Sequence, residues 1–302
     1  MNRIGYFARV NAIRSVVLQF LSAHKDNQCQ IINLGAGYDT LFFNLADQNN
    51  LPSKYIEIDF ARVVSSKVRL IKSKKVLYEK LQISKKSDSS DPTSTEKNST
   101  VDSSGLFKLP TPIASLDRNR CNDSQHEINT NNFSLISVDL RKINELDKRL
   151  TECNVDRSLP TLFISECVLV YMSVEHSSAL LHHLASTFSQ CVFLKYEQCN
   201  LNDKFGEIML HNMQQRSCKL LGVDSCQSLE SQKKSFTDNG FSSDLCQVFT
   251  MTDYYQNRMS RTERERIESI EFLDEAELLF QLMDHYCICI AGNNQNLMQN
   301  FM

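Results

Sequence analysis

Hydrophobic positions along the chain fall into two alternating kinds of run. Residues 30–34, 55–58, 135–138 and 161–164 are short apolar or β-branched runs with the length of buried strands, and each ends in or runs into a small or acidic residue. Longer amphipathic stretches lie between several of them. Beyond the fourth, residues 173–188 place Leu180, Leu181, Leu184 and Phe188 at helical spacing. Residues 191–196 and 286–291 read as further strands, and 205–221 and 264–283 as helices, the last with Ile267, Ile270, Leu278 and Leu282 among its apolar positions. Strand and helix signals in alternation predict an α/β fold with a mainly parallel sheet, in a single domain spanning 1–302.

One region breaks the rhythm. Residues 82–104 contain eight serines with several lysines and aspartates and almost no apolar side chains. Such a composition buries too little to offset its ordering entropy, and it reads as a disordered surface insertion, 82–130, within the domain. The basic run 67–75 is interrupted by Val68, Leu70 and Ile71, the pattern of an amphipathic helix with a solvated face rather than of a phosphate site.

Composition narrows the classes. The 302 residues, 41% of them hydrophobic, can bury a substantial core. With 33 basic and 36 acidic residues the net charge is -3, which offers no basic footprint for nucleic acid or an anionic membrane. Eleven cysteines, spread from Cys29 to Cys289 without a C-x-x-C pair, fit reduced thiols in a cytoplasmic protein. No run reaches the roughly 18 apolar residues of a membrane span, and the first residues lack a signal-peptide pattern, so neither export nor anchoring is expected.

The candidate chemistry lies at strand ends. In Ile31-Ile32-Asn33-Leu34-Gly35-Ala36-Gly37-Tyr38-Asp39-Thr40, two glycines at the tip of a buried strand allow backbone to approach a ligand closely. Glu57 and Asp59 close the next strand about 20 residues on, where an acidic side chain accepts hydrogen bonds from ribose hydroxyls. A dinucleotide loop requires a third glycine where this chain has Thr40, so a nucleoside cofactor without phosphate, S-adenosylmethionine, fits better. The third strand ends in Val138-Asp139-Leu140-Arg141 and the fourth in Ser165-Glu166, again at the edge where open α/β sheets bind ligands. Plainer roles compete: Asp59 and Asp139 as helix caps, Glu166 as the partner of an arginine.

The phrases NRIGYFARV, IINLGAGYDT, LPSKYIEIDF, LPTLFISECVLVYM, NGF and RIESIEFLDEAELLFQLMDHYCICIA, in this order, resemble the leucine carboxyl methyltransferase family over nearly the whole chain outside the serine-rich stretch. The resemblance implies a class I methyltransferase fold, Rossmann-like with a seven-stranded sheet and added helices, and S-adenosylmethionine as cofactor. It also implies an acceptor, the C-terminal leucine carboxylate of the type 2A protein phosphatase catalytic subunit. By the same resemblance Arg9 would hold the methionine carboxylate of the cofactor, Gly35 would line its main-chain end, Asp59 its ribose, Asp139 and Leu140 its adenine side, and Glu166 the inner wall. Arg141 and Tyr171 are the candidates for orienting the acceptor carboxylate, against a surface ion pair and a packed tyrosine at a helix start.

Family members carry a further N-terminal segment that helps close the cofactor site, and this chain reads Asn2-Arg3-Ile4-Gly5-Tyr6 almost at its beginning, with altered spacing around Arg3. Either a shortened form or a differently built lid is expected. No metal is expected, and His182 and His183 are expected on the surface of a helix. The expected partner is the phosphatase tail, bound by a monomer. Two rival readings remain: a phosphatase-binding module that has lost turnover, and the carboxyl methyltransferase of tRNA wybutosine synthesis, whose additional propeller 302 residues do not accommodate.

Overall fold

The computed structural model describes residues 3–24, 28–81, 126–270 and 276–299. Its first half comprises α1 (Arg3–Ala23), β1 (Gln30–Leu34), α2 (Leu41–Asp47), β2 (Lys54–Asp59), α3 (Ala61–Ser73), α4 (Lys75–Lys80), β3 (Ile128–Asn129), β4 (Phe133–Ser137) and α5 (Ile143–Glu152). Then follow β5 (Thr161–Glu166), α6 (Val174–Thr187), β6 (Cys191–Gln198), α7 (Lys204–Gln215), α8 (Leu229–Thr237), β7 (Cys246–Thr250), α9 (Met251–Asp253), α10 (Arg261–Glu268), α11 (Ala276–Met283), β8 (Tyr286–Gly292) and α12 (Gln295–Met298).

The sheet has eight strands, not seven, in the order β3-β4-β2-β1-β5-β6-β8-β7. Five of them, β4, β2, β1, β5 and β6, run parallel; β3, β8 and β7 pair antiparallel at the two edges. All five residues of β1 are buried, as expected of a strand covered on both faces. Ile31, Tyr55, Leu162 and Ile164 pack with α1, α2 and α3 on one face, while Ile32, Ile56, Ile58 and Phe163 pack with α5, α6 and α8 on the other. The chain leaves β1 towards β2 and β4, then crosses back to β5 and β6, so the order reverses beside β1. Such a switch point opens a crevice at the carboxyl ends of the strands.

The six strands read from the sequence are present within a residue or two of their expected ends. Two more were not read. Strand β3 lies at the end of the 82–130 insertion, whose residues 82–125 fall outside the described residues, and β7 is a short edge strand with only Cys246 and Phe249 buried. Helix α7 stops at Gln215, short of the expected 221. Ser217 enters the left-handed region (φ +56°), and the amides of Cys218 and Ser217 return to the carbonyls of Met213 and Gln214, which closes the helix end. The single helix expected over 264–283 is divided, with α10 capped by Ser260 accepting from Glu263 N–H and α11 starting beyond residues outside the described set. No helix among the described residues is long and apolar enough to cross a membrane.

Candidate active site

At the tip of β1, Gly35 (φ +68°) turns the chain so that its N–H and that of Ala36 both donate to Ile58 O, at 2.8 and 3.0 Å. A Cβ at Gly35 would lie 2.5 Å from Val168 Cγ2, so only glycine fits without displacing that side chain. Gly37 (φ +51°) then donates its N–H to Asp59 Oδ2 at 2.7 Å, and Phe60 N–H donates to Asp59 Oδ1 at 2.7 Å. Asp59 thus ties the glycine loop to the end of β2. Each of its oxygens still has accepting capacity.

Beyond β4 come Asp139, Leu140 and Arg141. The Arg141 guanidinium is folded back onto Asp139, with Nε 2.9 Å from Oδ1 and Nη2 2.6 Å from Oδ2, which holds the Asp139 carboxyl below its ordinary range. The arginine side chain is 49% exposed. This is the surface ion pair that competed with a substrate role, and it leaves the guanidinium at the cavity wall.

Strand β5 ends at Glu166, and Cys167 takes a left-handed conformation (φ +51°) before a 3₁₀ turn over Leu169–Tyr171. Ser173 accepts a hydrogen bond from His176 N–H and starts α6. Burial pushes the Glu166 carboxyl up, against the pull of Arg9, whose Nε lies 3.3 Å from Glu166 Oε2. Arg9 sits among Tyr6 and Tyr196, 5.4 and 5.8 Å from their ring centres, and its buried Nε makes no hydrogen bond. Burial, with Cys218 and Cys167 nearby, pushes the Tyr171 phenol up to about 12, so it is a neutral hydrogen-bonding group near pH 7.

These strand ends enclose a cavity of about 290 Å³ lined by Gly35, Asp59, Asp139, Leu140, Arg141 and Tyr171, together with Phe60, Val138, Cys167, Val168 and Met172. It is near the lower end of the roughly 300–1,000 Å³ usual for small-molecule clefts. Six of the eight residues singled out from the sequence therefore line one space. The other two, Arg9 and Glu166, are not among its lining residues; they form an ion pair with each other, and Glu166 directly precedes the lining Cys167 in the chain. Sequence reasoning passed over Phe60, an aromatic ring 58% exposed directly after Asp59, which was a readable signal. It also passed over Val168 and Cys167, whose roles come from backbone geometry that residue type does not announce. His182 is exposed, while His183 is half-buried with Nε2 2.9 Å from Asp147 Oδ1, away from the cavity.

A larger groove, about 470 Å³, runs between α1 and the β7–β8 edge. Its charged side chains are already satisfied: Arg258 pairs with Asp253 at 2.7 Å and stacks on Phe249, and Glu263 pairs with Arg266 at 2.7 Å. Its polar groups also bond among themselves, Tyr254 OH donating to Asn11 Oδ1 at 2.6 Å, and it lies away from the carboxyl ends of the parallel strands, where open α/β sheets bind ligands.

Comparison with known proteins agrees with this geometry. The leucine carboxyl methyltransferase family profile matches residues 1–185. Leucine carboxyl methyltransferase 1 of Rattus norvegicus is 40% identical over 287 residues, covering 95% of this chain and 76% of that protein. The tRNA wybutosine-synthesizing protein 4 of Homo sapiens is 28% identical over 298 residues, 97% of this chain but 38% of that protein. Among solved structures, a Thermobifida fusca protein assigned as a methyltransferase superposes with a TM-score of 0.51 at 11% identity, covering 94% of this chain and 79% of that one, a likeness of fold. The matched span contains every residue that lines the cavity, and with the identity to the rat protein it makes the chain a methyltransferase that belongs to the leucine carboxyl methyltransferase family.

Proposed function

We propose that the cavity binds S-adenosylmethionine and that the enzyme uses it to esterify the C-terminal leucine carboxylate of a type 2A protein phosphatase catalytic subunit. The observation that carries this reading is the convergence of Gly35, Asp59, Asp139 and Leu140 with Arg141 and Tyr171 around one cavity at the sheet's switch point. The residues present fit the cofactor. Acidic groups outnumber basic ones around the site, Asp59, Asp139 and Glu166 standing against Arg9 and Arg141, which suits a ligand of net positive charge. The Nε of Arg9, buried without a hydrogen bond, is a donor available to that carboxylate, and Glu166, pushed up by burial, gains from a neighbouring cation.

Arg9 and Glu166 would hold the amino-acid end, the Gly35 backbone would line it, Asp59 would accept from the ribose hydroxyls, and Asp139 with Leu140 would border the adenine. When bound, the cofactor supplies an electrophilic methyl group on a sulfonium. The chain's own task is to place the acceptor. A terminal carboxyl, with a pKa of about 3.5, is already ionised near pH 7, so no general base is needed. Arg141 can grip both carboxylate oxygens with its fork, and the neutral Tyr171 phenol can donate to one of them. Positioning of this kind contributes on the order of 7–11 kcal/mol to such a displacement. On this reading the phosphatase tail is the macromolecular partner and the protein acts as a cytoplasmic monomer.

The test is transfer of labelled methyl from S-adenosylmethionine to purified phosphatase catalytic subunit. An alkali-labile label on the intact subunit, absent from a subunit lacking its terminal leucine, is the expected result. Label that ignores the terminal leucine, or that enters tRNA instead, sinks the proposal.

A further inference from the structure

The wall of the cavity formed by residues 167–172 is an unusual piece of backbone, and what holds it comes from β6, the strand beside β5. Cys167 is left-handed (φ +51°) and Val168 right-handed (φ −119°, ψ −50°), a succession that aims consecutive amide N–H groups into one concavity. Into it projects the carboxylate of Glu197 from β6. Glu197 is 1% exposed, its Oε2 accepts from Val170 N–H at 3.1 Å, and the amides of Leu169 and Val168 add to the stabilisation of its charge. Its Oε1 has no hydrogen-bond partner. The same turn is pinned at its ends: Cys167 N–H donates to Tyr196 O at 2.8 Å, Gly222 N–H donates to Val170 O at 2.8 Å, and Val168 abuts Gly35.

We propose that Glu197 is a positioning residue of the methyltransferase site: its buried carboxylate acts as the anion of a backbone nest and holds the 167–172 turn in the conformation that presses Val168 onto the Gly35 loop and presents Tyr171 to the cavity. A left-handed non-glycine residue is disfavoured, because its Cβ comes too close to the following carbonyl oxygen. An anion shared by successive amides offsets such a cost, because otherwise these amides would be buried without acceptors. An unpaired buried carboxylate is itself costly, and a mere packing role would be filled better by an apolar side chain. The consequence for catalysis rests on the site reading given above, but the anchoring of the turn does not.

Amide hydrogen exchange tests the anchoring without any activity measurement. In Glu197→Gln the amides of Val168, Leu169 and Val170 should exchange at least tenfold faster, while those of β5 and α6 keep the parent's rates; S-adenosylhomocysteine affinity should fall with them. Acceleration spread evenly over the domain, or none in the turn, overturns the inference. A second measurement needs no variant. Burial pushes the Glu197 carboxyl up to about 7, against the pull of Lys195. The groups facing it from neighbouring elements, Cys167 and Tyr171 on the turn, Cys226 beside α8, and Tyr286 and Cys289 on β8, are all shifted upward to about 12 or well above their ordinary range. Lowering pH from about 8 to about 6 therefore protonates Glu197 alone among these acids. Corrected for chemical exchange, the turn amides of the parent should lose protection across that range, and protection that stays constant refutes the anchor. If exchange responds as expected but methyl transfer to the phosphatase is never seen, the anchor stands and the acceptor assignment fails.

Discussion

Lys67 Nζ lies 2.6 Å from Glu57 Oε2, with the two side chains 3% and 0% exposed, on the same face of β2 as Asp59. The contact is close but poorly directed, since neither Glu57 oxygen nor the lysine Nζ has a hydrogen bond of good geometry. Removing one member leaves a charge buried alone, at a cost of about 3–5 kcal/mol, whereas replacing both by neutral groups is far milder. Lys67→Met should lower unfolding stability by about that amount, and Glu57→Gln with Lys67→Met should recover most of it. Urea titrations of the three proteins decide it; a double variant as weak as the single one would show that packing, not charge, sets the loss.

Glu57 also gives stability a pH dependence whose sign follows from its shift. Burial outweighs Lys67 and pushes its carboxyl up to about 7 from 4.5, so between these values the folded protein binds more protons than the unfolded chain. The contribution of Glu57 to stability is therefore greatest below about 4.5 and declines as pH rises through about 7. Glu57→Gln should flatten that part of the stability profile, measured as the urea midpoint at successive pH values. A profile parallel to the parent's would place the slope elsewhere.

Gly35→Ala should damage the site twice, through a left-handed backbone (φ +68°) and through a Cβ 2.5 Å from Val168 Cγ2. The conformational part alone is worth roughly 1–2 kcal/mol. Adding Val168→Ala should relieve the collision and not the backbone strain, so the double variant recovers only part of the lost cofactor affinity. Full recovery would mean that strain is negligible at this position.

Asp59→Ala should weaken S-adenosylhomocysteine binding by about 1.5–3 kcal/mol for each charged hydrogen bond lost. The effect should exceed that of a simple ribose contact, because Asp59 also holds the amides of Gly37 and Phe60. Calorimetry on a folded variant measures it. Unchanged affinity would remove Asp59 from the cofactor site.

Arg141 separates acceptor from cofactor. Its fork is engaged by both oxygens of Asp139, and the same two-pronged grip would serve an incoming carboxylate, whereas lysine keeps the charge and loses the fork. Arg141→Lys should bind S-adenosylhomocysteine within about twofold of the parent and transfer methyl at least tenfold more slowly in single turnovers. A matching collapse of cofactor affinity would make Arg141 a cofactor residue; no change in either would leave it a partner of Asp139 only.

The sequence by itself determined the α/β class, six strands, the glycine loop and the acidic strand ends, because each is written in local terms: apolar runs of strand length, glycines at a strand tip, a carboxylate where a strand stops. Residue type and spacing carried that information without any long-range contact. The family resemblance added Arg9, which no local signal marks. Tertiary structure alone decided the remainder. That Glu57 and Lys67 meet in the interior, that Arg141 lies on Asp139, that Val168 rests on Gly35 and that Glu197 accepts from the Val170 amide are contacts between elements distant in sequence or outcomes of one backbone conformation. The edge strands β3 and β7 escaped for the same reason, since short strands with one exposed side owe their existence to the neighbour they pair with rather than to their own composition.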